Sequence, residues 1–273
     1  MSASQLDTFR KALGATNIPH KGITVAVGSG KGGVGKSCFA LSYAAMLSRQ
    51  GESALLVDAD PGLADLNIFL GLNPELHWGH FIRGERSLAE VTLRNVWPNL
   101  DFIHGFSGVT DATWMQGTAA RTLVDALAAQ KSCYDCTVFD VGAGLSEPNL
   151  VFLTAVDFLV LVLSPELTSL ADAYGTIKTV LARNPHQKMG IVVNQAETVE
   201  QARMVYLNLV KIVAQFLGKR IPLLGWLPRD LELPRSLARQ KPLVLTMPDG
   251  PYAMGMATVV QSLTTLLQQP EVN

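Results

Sequence analysis

Eight consecutive residues near the N-terminus, Gly30-Lys31-Gly32-Gly33-Val34-Gly35-Lys36-Ser37, constrain this chain more than any other feature. They fit G-x-x-x-x-G-K-[ST], and the flanks are the ones that spacing requires. The apolar run ITVAVG at 23–28 leads in, and the helical stretch CFALSYAAMLSR leads out. Glycines let the backbone curl so that successive N–H groups point inward at phosphate oxygens, and the following helix adds its positive N-terminal end. In such a loop Lys36 reaches the β- and γ-phosphates and Ser37 ligates Mg²⁺. With glycine near about 7% usage, the pattern arises by accident in on the order of one chain in a hundred of this length. A dinucleotide loop of the G-x-G-x-x-G type is disfavoured, because it has no use for the lysine–serine pair.

Further apolar or β-branched runs follow at 53–58, 100–104, 136–140, 158–163, 190–194 and 221–226, and stretches with helical spacing lie between them at 36–49, 117–130, 168–183 and 197–216. This alternation predicts an α/β fold, a mostly parallel sheet flanked by helices on both faces. No linker, repeat or low-complexity tract divides the chain, so residues 21–273 read as one domain. Residues 1–20 read as an appendage. Ser2 and Gln5 form a capping box, Leu6, Phe9 and Leu13 fall at helical spacing, and Asn17, Pro19 and Gly22 punctuate the chain before the first strand.

Carboxylates gather at strand ends. The run ALLVDADPGLADLN places Asp58 and Asp60 at the C-terminal end of the second strand, where open α/β sheets bind ligands. Period-2 spacing sets both on one side, where one supports Mg²⁺ through water and the other orients an attacking water. The fourth run ends in FDVGAGLS, so Asp140 follows strand character and precedes Gly142 and Gly144. A carboxylate there holds the Mg²⁺ shell, and the glycines let the loop approach the γ-phosphate and sense its loss.

Lys31 in KGGVGKS resembles the extra lysine of the deviant Walker A ATPases, a family that includes MinD, ParA and FlhG, also called FleN. The resemblance spans residues 20–245 and implies ATP or ADP with Mg²⁺ as ligands and a homodimer in the ATP-bound state. Each Lys31 would cross to the partner's phosphates in the manner of an arginine finger. It implies Lys31, Lys36 and Asp60 as catalytic residues. Gly30, Lys31, Gly32, Gly33, Val34, Gly35, Lys36, Ser37 and Cys38 become the nucleotide loop, and Ser37, Asp58 and Asp140 the Mg²⁺ set, the aspartates through water. Asn194 stands where the family reads adenine with an amide, a turn-forming asparagine being the alternative. Pro228, Arg229 and Asp230 occupy the family's other position for base contacts. Family members carry threonine after the strand-end aspartate where this chain has Val141, which bears on hydrolysis rate more than on binding.

Within the family, LVDADPGLADLNIFLGL, DVGAGLS and SPELTSLADAYGTIK are most similar to FlhG, although Asp65 replaces the usual asparagine and Pro61 is more like ParA. FlhG proteins begin with a segment D-Q-A-x-x-L-R that stimulates the GTPase FlhF. Ser4-Gln5-Leu6-Asp7-Thr8-Phe9-Arg10 fits it in altered form. The resemblance implies that Gln5 and Arg10 reach a partner's nucleotide site while Leu6, Phe9 and Leu13 dock; packing of this helix on its own domain is the other reading. It further implies control of flagellar number and placement, with FlhF, flagellar C-ring proteins or a flagellar transcription regulator as partners. MinD-type division-site selection, ParA-type partition and a non-hydrolysing ATP-bound scaffold stand as alternatives.

Charge limits the partners. With 22 basic against 23 acidic residues and no run of like charge, nucleic acid is not an expected partner. Residues 242–273 contain no Lys or Arg, so a cationic membrane-binding helix is not expected there, and core packing of that last helix is the expectation. The N-terminus has no apolar secretory core, no stretch is long enough to span a bilayer, and three cysteines make no disulfide framework; a cytoplasmic protein is expected, with possible recruitment to the cell pole or inner membrane face. Cys133 and Cys136 lack the two further ligands a zinc site needs. His77 and His80 read as loop surface, and Trp78, Trp97, Trp114 and Trp226 as core or edge aromatics.

Overall fold

Strand runs that are apolar on both sides, such as FLVLVL, are stable only between two helical layers. In the computed structural model, which describes residues 22–60, 65–105 and 117–268, they build one eight-stranded sheet. Its strands are β1 (Ile23–Gly28), β2 (Ala54–Ala59), β3 (Thr92–Trp97), β4 (Leu100–Ile103), β5 (Cys136–Val141), β6 (Phe158–Leu163), β7 (Met189–Ala196) and β8 (Leu223–Pro228). They lie in the order β3-β4-β2-β5-β1-β6-β7-β8. Every neighbouring pair is parallel except β3 with β4.

The helices are α1 (Lys36–Arg49), α2 (Leu66–Leu70), α3 (Trp78–Ile82), α4 (Thr118–Ala128), α5 (Glu147–Thr154), α6 (Leu167–Arg183), α7 (Val199–Leu217), α8 (Glu232–Ala238), α9 (Leu243–Thr246) and α10 (Pro251–Gln268). Alternate strand residues feed two cores. Val25, Val27, Leu56, Val138, Val160 and Val162 pack with α1, α9 and α10 on one face. Ala26, Val57, Phe139, Leu159 and Leu161 pack with α4, α5, α6 and α7 on the other. Because β1 lies between β5 and β6, and the crossovers through α1 and α5 cover opposite faces, the C-terminal end of β1 is the switch point at which open α/β sheets form a ligand crevice.

Strand entry is pinned by polar pairs. Thr24 donates to Asp157 through its N–H at 2.8 Å and its hydroxyl at 2.7 Å, and the Asp157 N–H returns a bond to the Thr24 Oγ1. Ser53 makes the equivalent exchange with Asp135 between β2 and β5. These bonds hold the register at the end of the sheet remote from the crevice.

Three sequence expectations differ from the structure. The edge strand β3, TLRNVW, has no apolar run and pairs antiparallel with β4, so it shows no buried-strand signature. It makes Asp140 the end of the fifth strand in chain order. His77 and His80 are not a loop surface: His77 caps α3 by accepting from the Gly79 N–H, and the His77 N–H donates to the His80 Nδ1. Trp78 between them is buried and donates its indole N–H to the Asp58 carbonyl at 3.0 Å. Trp97 and Trp226 are half-buried against the cores.

The last helix α10 packs on β8 and α1 and buries Tyr252, Met256, Val259 and Leu263. Among the described residues no helix is long and apolar enough to cross a membrane. The N-terminal segment, with Gln5, Leu6, Phe9 and Arg10, lies outside the described residues, as do Pro61 and Trp114.

Phe139 sits at the centre of β5, fully buried, with its ring 5.6 Å from that of Phe152 on α5. Phe139→Ala is expected to cost about 3–5 kcal/mol, read as a lowered urea midpoint in equilibrium unfolding.

Candidate functional site

The loop from Gly30 to Gly35 joins β1 to α1, and its glycines are required for position. A side chain at Gly30 would lie 2.3 Å from the Asp172 carbonyl oxygen of α6. Gly35 holds φ at 87° and leaves no room for a Cβ beside the Asn194 amide, 2.5 Å away. Both conditions exclude an L side chain.

The loop is braced from its outer side. Asn194, buried at the end of β7, donates its amide to the Val34 carbonyl at 2.8 Å and accepts from the Gln195 N–H at 2.9 Å. Gln195, a non-glycine residue at φ 61°, donates to the Gly33 carbonyl at 3.2 Å. The Ser29 hydroxyl donates to the Lys31 carbonyl at 2.7 Å. Tying carbonyls outward turns the loop's N–H groups inward, the arrangement an anion cradle needs. The amide of Asn194, the candidate adenine contact, is engaged with the loop itself. Gln195 has no sequence motif to announce it.

Lys36 begins α1 and is buried, as are Asp58 and Asp140. These two aspartates are register partners on β2 and β5, and as even-numbered neighbours of Leu56 and Val138 they face the α1 side of the sheet. Asp60 follows one residue beyond β2; its N–H donates to Asp58 Oδ1 at 3.2 Å, and its own Oδ1 lies 3.0 Å from where a Cβ of Gly142 would be. Val141 is fully buried in the opposite core, facing away from the side Asp140 occupies.

Burial, then the neighbouring Asp140 and Asp60, push the Asp58 carboxyl well above the usual carboxylate range. Burial likewise pushes Asp140 up to about 6, opposed by the Lys36 ammonium and a hydrogen bond from Ser37. Asp58 Oδ2 and Asp140 Oδ1 are buried without a hydrogen-bond partner among the described residues. Two adjacent buried oxygens of like charge are costly unless a cation faces them. The oxygen-only donor set suits a hard divalent ion such as Mg²⁺. Cys38 is a poor nucleophile here, since burial and Asp140 push its thiol up to about 11.

Lys31 points away from this cluster. Its ammonium is ion-paired with Glu166 and donates to the Thr168 hydroxyl at 2.9 Å, both at the head of α6. On the neighbouring strand, Pro228 ends β8, the Arg229 N–H donates to the Ala196 carbonyl, and Asp230 accepts from the Glu232 N–H at 2.8 Å at the start of α8. The structure thus gathers the loop, Asp58, Asp60, Asp140 and Asn194 at one end of the sheet, with Pro228 and Asp230 at its β8 side. Cys133 is exposed and Cys136 buried, both as free thiols, and the described residues contain no cluster of three metal-ligating side chains.

The raised carboxyl values carry a pH consequence. A group that binds its proton more tightly folded than unfolded stabilises the fold as pH falls. For Asp140 the change from 3.8 to about 6 corresponds to roughly 3 kcal/mol lost above that window. Without metal or nucleotide, Asp140→Asn is expected to be more stable than the parent at pH 7.5. The advantage, read from urea unfolding, should shrink toward pH 4; a difference independent of pH would count against the assignment.

Comparison with known proteins agrees with this geometry. The family described as the CobQ/CobB/MinD/ParA nucleotide binding domain matches residues 25–243. The antiactivator FleN of Pseudomonas aeruginosa is 26% identical over 244 residues, covering 89% of this chain and 87% of that protein. The flagellum site-determining protein YlxH of Helicobacter pylori is 28% identical over 270 residues, covering 97% and 91%. Among solved structures, the septum site-determining protein MinD of Pyrococcus horikoshii, complexed with Mg-ADP, superposes with a TM-score of 0.74 at 22% identity, covering 90% of this chain and 97% of that one; at that identity the likeness speaks for the fold. With a matching domain that spans most of its length, an eight-stranded sheet of the same architecture and the loop at the end of β1, this chain belongs to the CobQ/CobB/MinD/ParA nucleotide-binding family.

Proposed function

We propose that this MinD/ParA-family ATPase is a slow, dimerising nucleotide switch of the FlhG/FleN type, acting in flagellar number and placement. The single observation that carries the switch reading is the pair of buried aspartates, Asp58 and Asp140, each with an oxygen that has no partner among the described residues, beside Lys36 and the braced loop. ATP and ADP bind with Mg²⁺ in this reading, the loop N–H groups and Lys36 taking the phosphates. Ser37, Asp58 and Asp140 hold the Mg²⁺ shell, the aspartates through water. The ion supplies charge neutralisation on the β- and γ-phosphate oxygens. Asp60, at the rim beside Gly142, orients the attacking water, and Lys31 serves the partner's site.

Two features support the dimer. Leu145, Leu167, Val199 and Leu231 follow β5, β6, β7 and β8 at the end of the sheet that carries the loop, and Leu167 is 88% exposed and Leu231 76%. Large apolar side chains grouped around a ligand site suit a second copy of the chain. Lys31 is exchangeable between a local pair with Glu166 and a phosphate across that interface. The inward packing of Val141 speaks against a non-hydrolysing scaffold, since its side chain lies away from the Asp140 face.

The flagellar role draws on the relative named a flagellum site-determining protein, together with the FleN relative that the FlhG resemblance anticipates, and septum positioning of the MinD kind is the second reading, supported by relatives named for septum-site determination. Residues 1–20 form an appendage to a single domain at 21–273 in this proposal. Gln5, Leu6, Phe9 and Arg10 meet a partner such as the GTPase FlhF, and C-ring proteins or a flagellar transcription regulator are further candidates. Asn194, Pro228 and Asp230 border the base end of the nucleotide, and the site of action is the cytoplasm.

Light scattering with Mg-ATP, with ADP and without nucleotide tests the switch. A dimer is expected only with Mg-ATP, persisting in Asp60→Ala, whose phosphate release should fall by about 100-fold or more. Lys31→Ala is expected to bind nucleotide and remain monomeric. A monomer under every condition would overturn the proposal.

A further inference from the structure

Asn149 stands third in α5, a position where asparagine has no helical advantage. Ser146, which precedes the helix, makes no side-chain cap. Instead the buried Asn149 side chain reaches back over the preceding loop. Its amide nitrogen lies 3.0 Å from the Gly142 carbonyl oxygen, 3.1 Å from that of Ala143 and 3.4 Å from that of Gly144. These three residues directly follow Asp140 and Val141 at the end of β5.

The loop is tied on its other side as well. The Gly144 N–H donates to the Ser29 carbonyl at 3.3 Å, at the entry to the phosphate loop, and the Ser29 hydroxyl donates to the Lys31 carbonyl. Asn149 Oδ1 is buried without a partner among the described residues and lies 3.3 Å from the point a Cβ of Gly142 would occupy, the same point that Asp60 Oδ1 approaches to 3.0 Å. The amide therefore gathers the carbonyls of the loop against α5, and its oxygen and the Asp60 carboxylate both border Gly142.

We propose that Asn149 is a positioning residue for hydrolysis: by clamping Gly142, Ala143 and Gly144 it sets the loop against which Asp60 orients water. This deepens the ATPase reading of the same site and rests on it. A carbonyl-gathering amide contributes to orientation in the reacting state and touches no phosphate-binding N–H, so its loss acts on kcat and leaves nucleotide affinity nearly unchanged.

The test compares Asn149→Ala, Asn149→Asp and Asn184→Ala with the parent protein. Asn184 donates to the Thr154 carbonyl at the far end of α5, a similar bond remote from the loop, and controls for general loosening. With Mg-ATP, Asn149→Ala should lose about tenfold or more in kcat with KM within about twofold. Asn149→Asp, which is isosteric but sets a carboxylate against three carbonyls, should be worse than Ala, whereas a packing role would make it milder. Asn184→Ala should retain kcat. In the ligand-free proteins, hydrogen exchange of the 142–146 amides should accelerate by about tenfold or more in the two Asn149 variants and not in Asn184→Ala. Equal exchange in all, Asp milder than Ala, or the same kcat loss in Asn184→Ala would overturn the clamp. Absence of phosphate release by the parent would instead overturn the ATPase reading, and the exchange result would still decide whether Asn149 holds the loop.

Discussion

Two carboxylates side by side in a protein interior create a local charge problem, and most of the site can be understood as its solution. Asp58 and Asp140 are neighbours across parallel strands because β5 inserts between β1 and β2, so the ends of β2 and β5 come level. Neither aspartate is exposed enough to be solvated, and each has an oxygen without a donor among the described residues. Lys36 partly offsets Asp140 from the head of α1, and Ser37 adds a hydrogen bond, yet both carboxyls stay raised. The fold thus holds a pair that is costly alone and favourable with a hard cation, and stability is given up where a ligand restores it.

Around this pair the backbone is fixed by side chains that hold loop carbonyls. Asn194 and Gln195 turn loop carbonyls outward from β7, and Asn149 does the same for the loop after β5. Ser29 and Gly144 join the two loops. The bracing side chains are amides or hydroxyls at strand ends or in a first helical turn, where helices and a sheet leave backbone groups unpaired. Lys31 is held by an exposed ion pair, the kind of contact that costs little to exchange for another anion.

How far this was legible in the sequence depended on whether the signal was local. The phosphate loop, the strand-end aspartates and the central strands announce themselves because glycine spacing and apolar runs are consecutive in the chain. The edge strand β3 did not, since its residues are half-buried or exposed with neither an apolar run nor a regular alternation, and its pairing with β4 follows a turn rather than an apolar pattern. His77 and His80 looked like loop residues because a capping role depends on a five-residue helix too short to show periodicity. Asn149 and Gln195 carry no motif at all; each acts on a loop whose position is set by another strand.

The sequence by itself therefore determined the chemistry available: a phosphate-binding loop, three carboxylates at strand ends, and a second lysine within the loop. These rest on nearest-neighbour geometry, in which strand, turn and helix follow one another without long-range contacts. Tertiary structure alone decided that Asp58 and Asp140 share one buried place, that Val141 turns away from it, that Lys31 rests on Glu166, and that Asn149 gathers the carbonyls of the loop after β5. Each of these depends on strand order and register, and on segments brought together across tens of residues, where no local pattern in the chain can specify which partner a side chain meets.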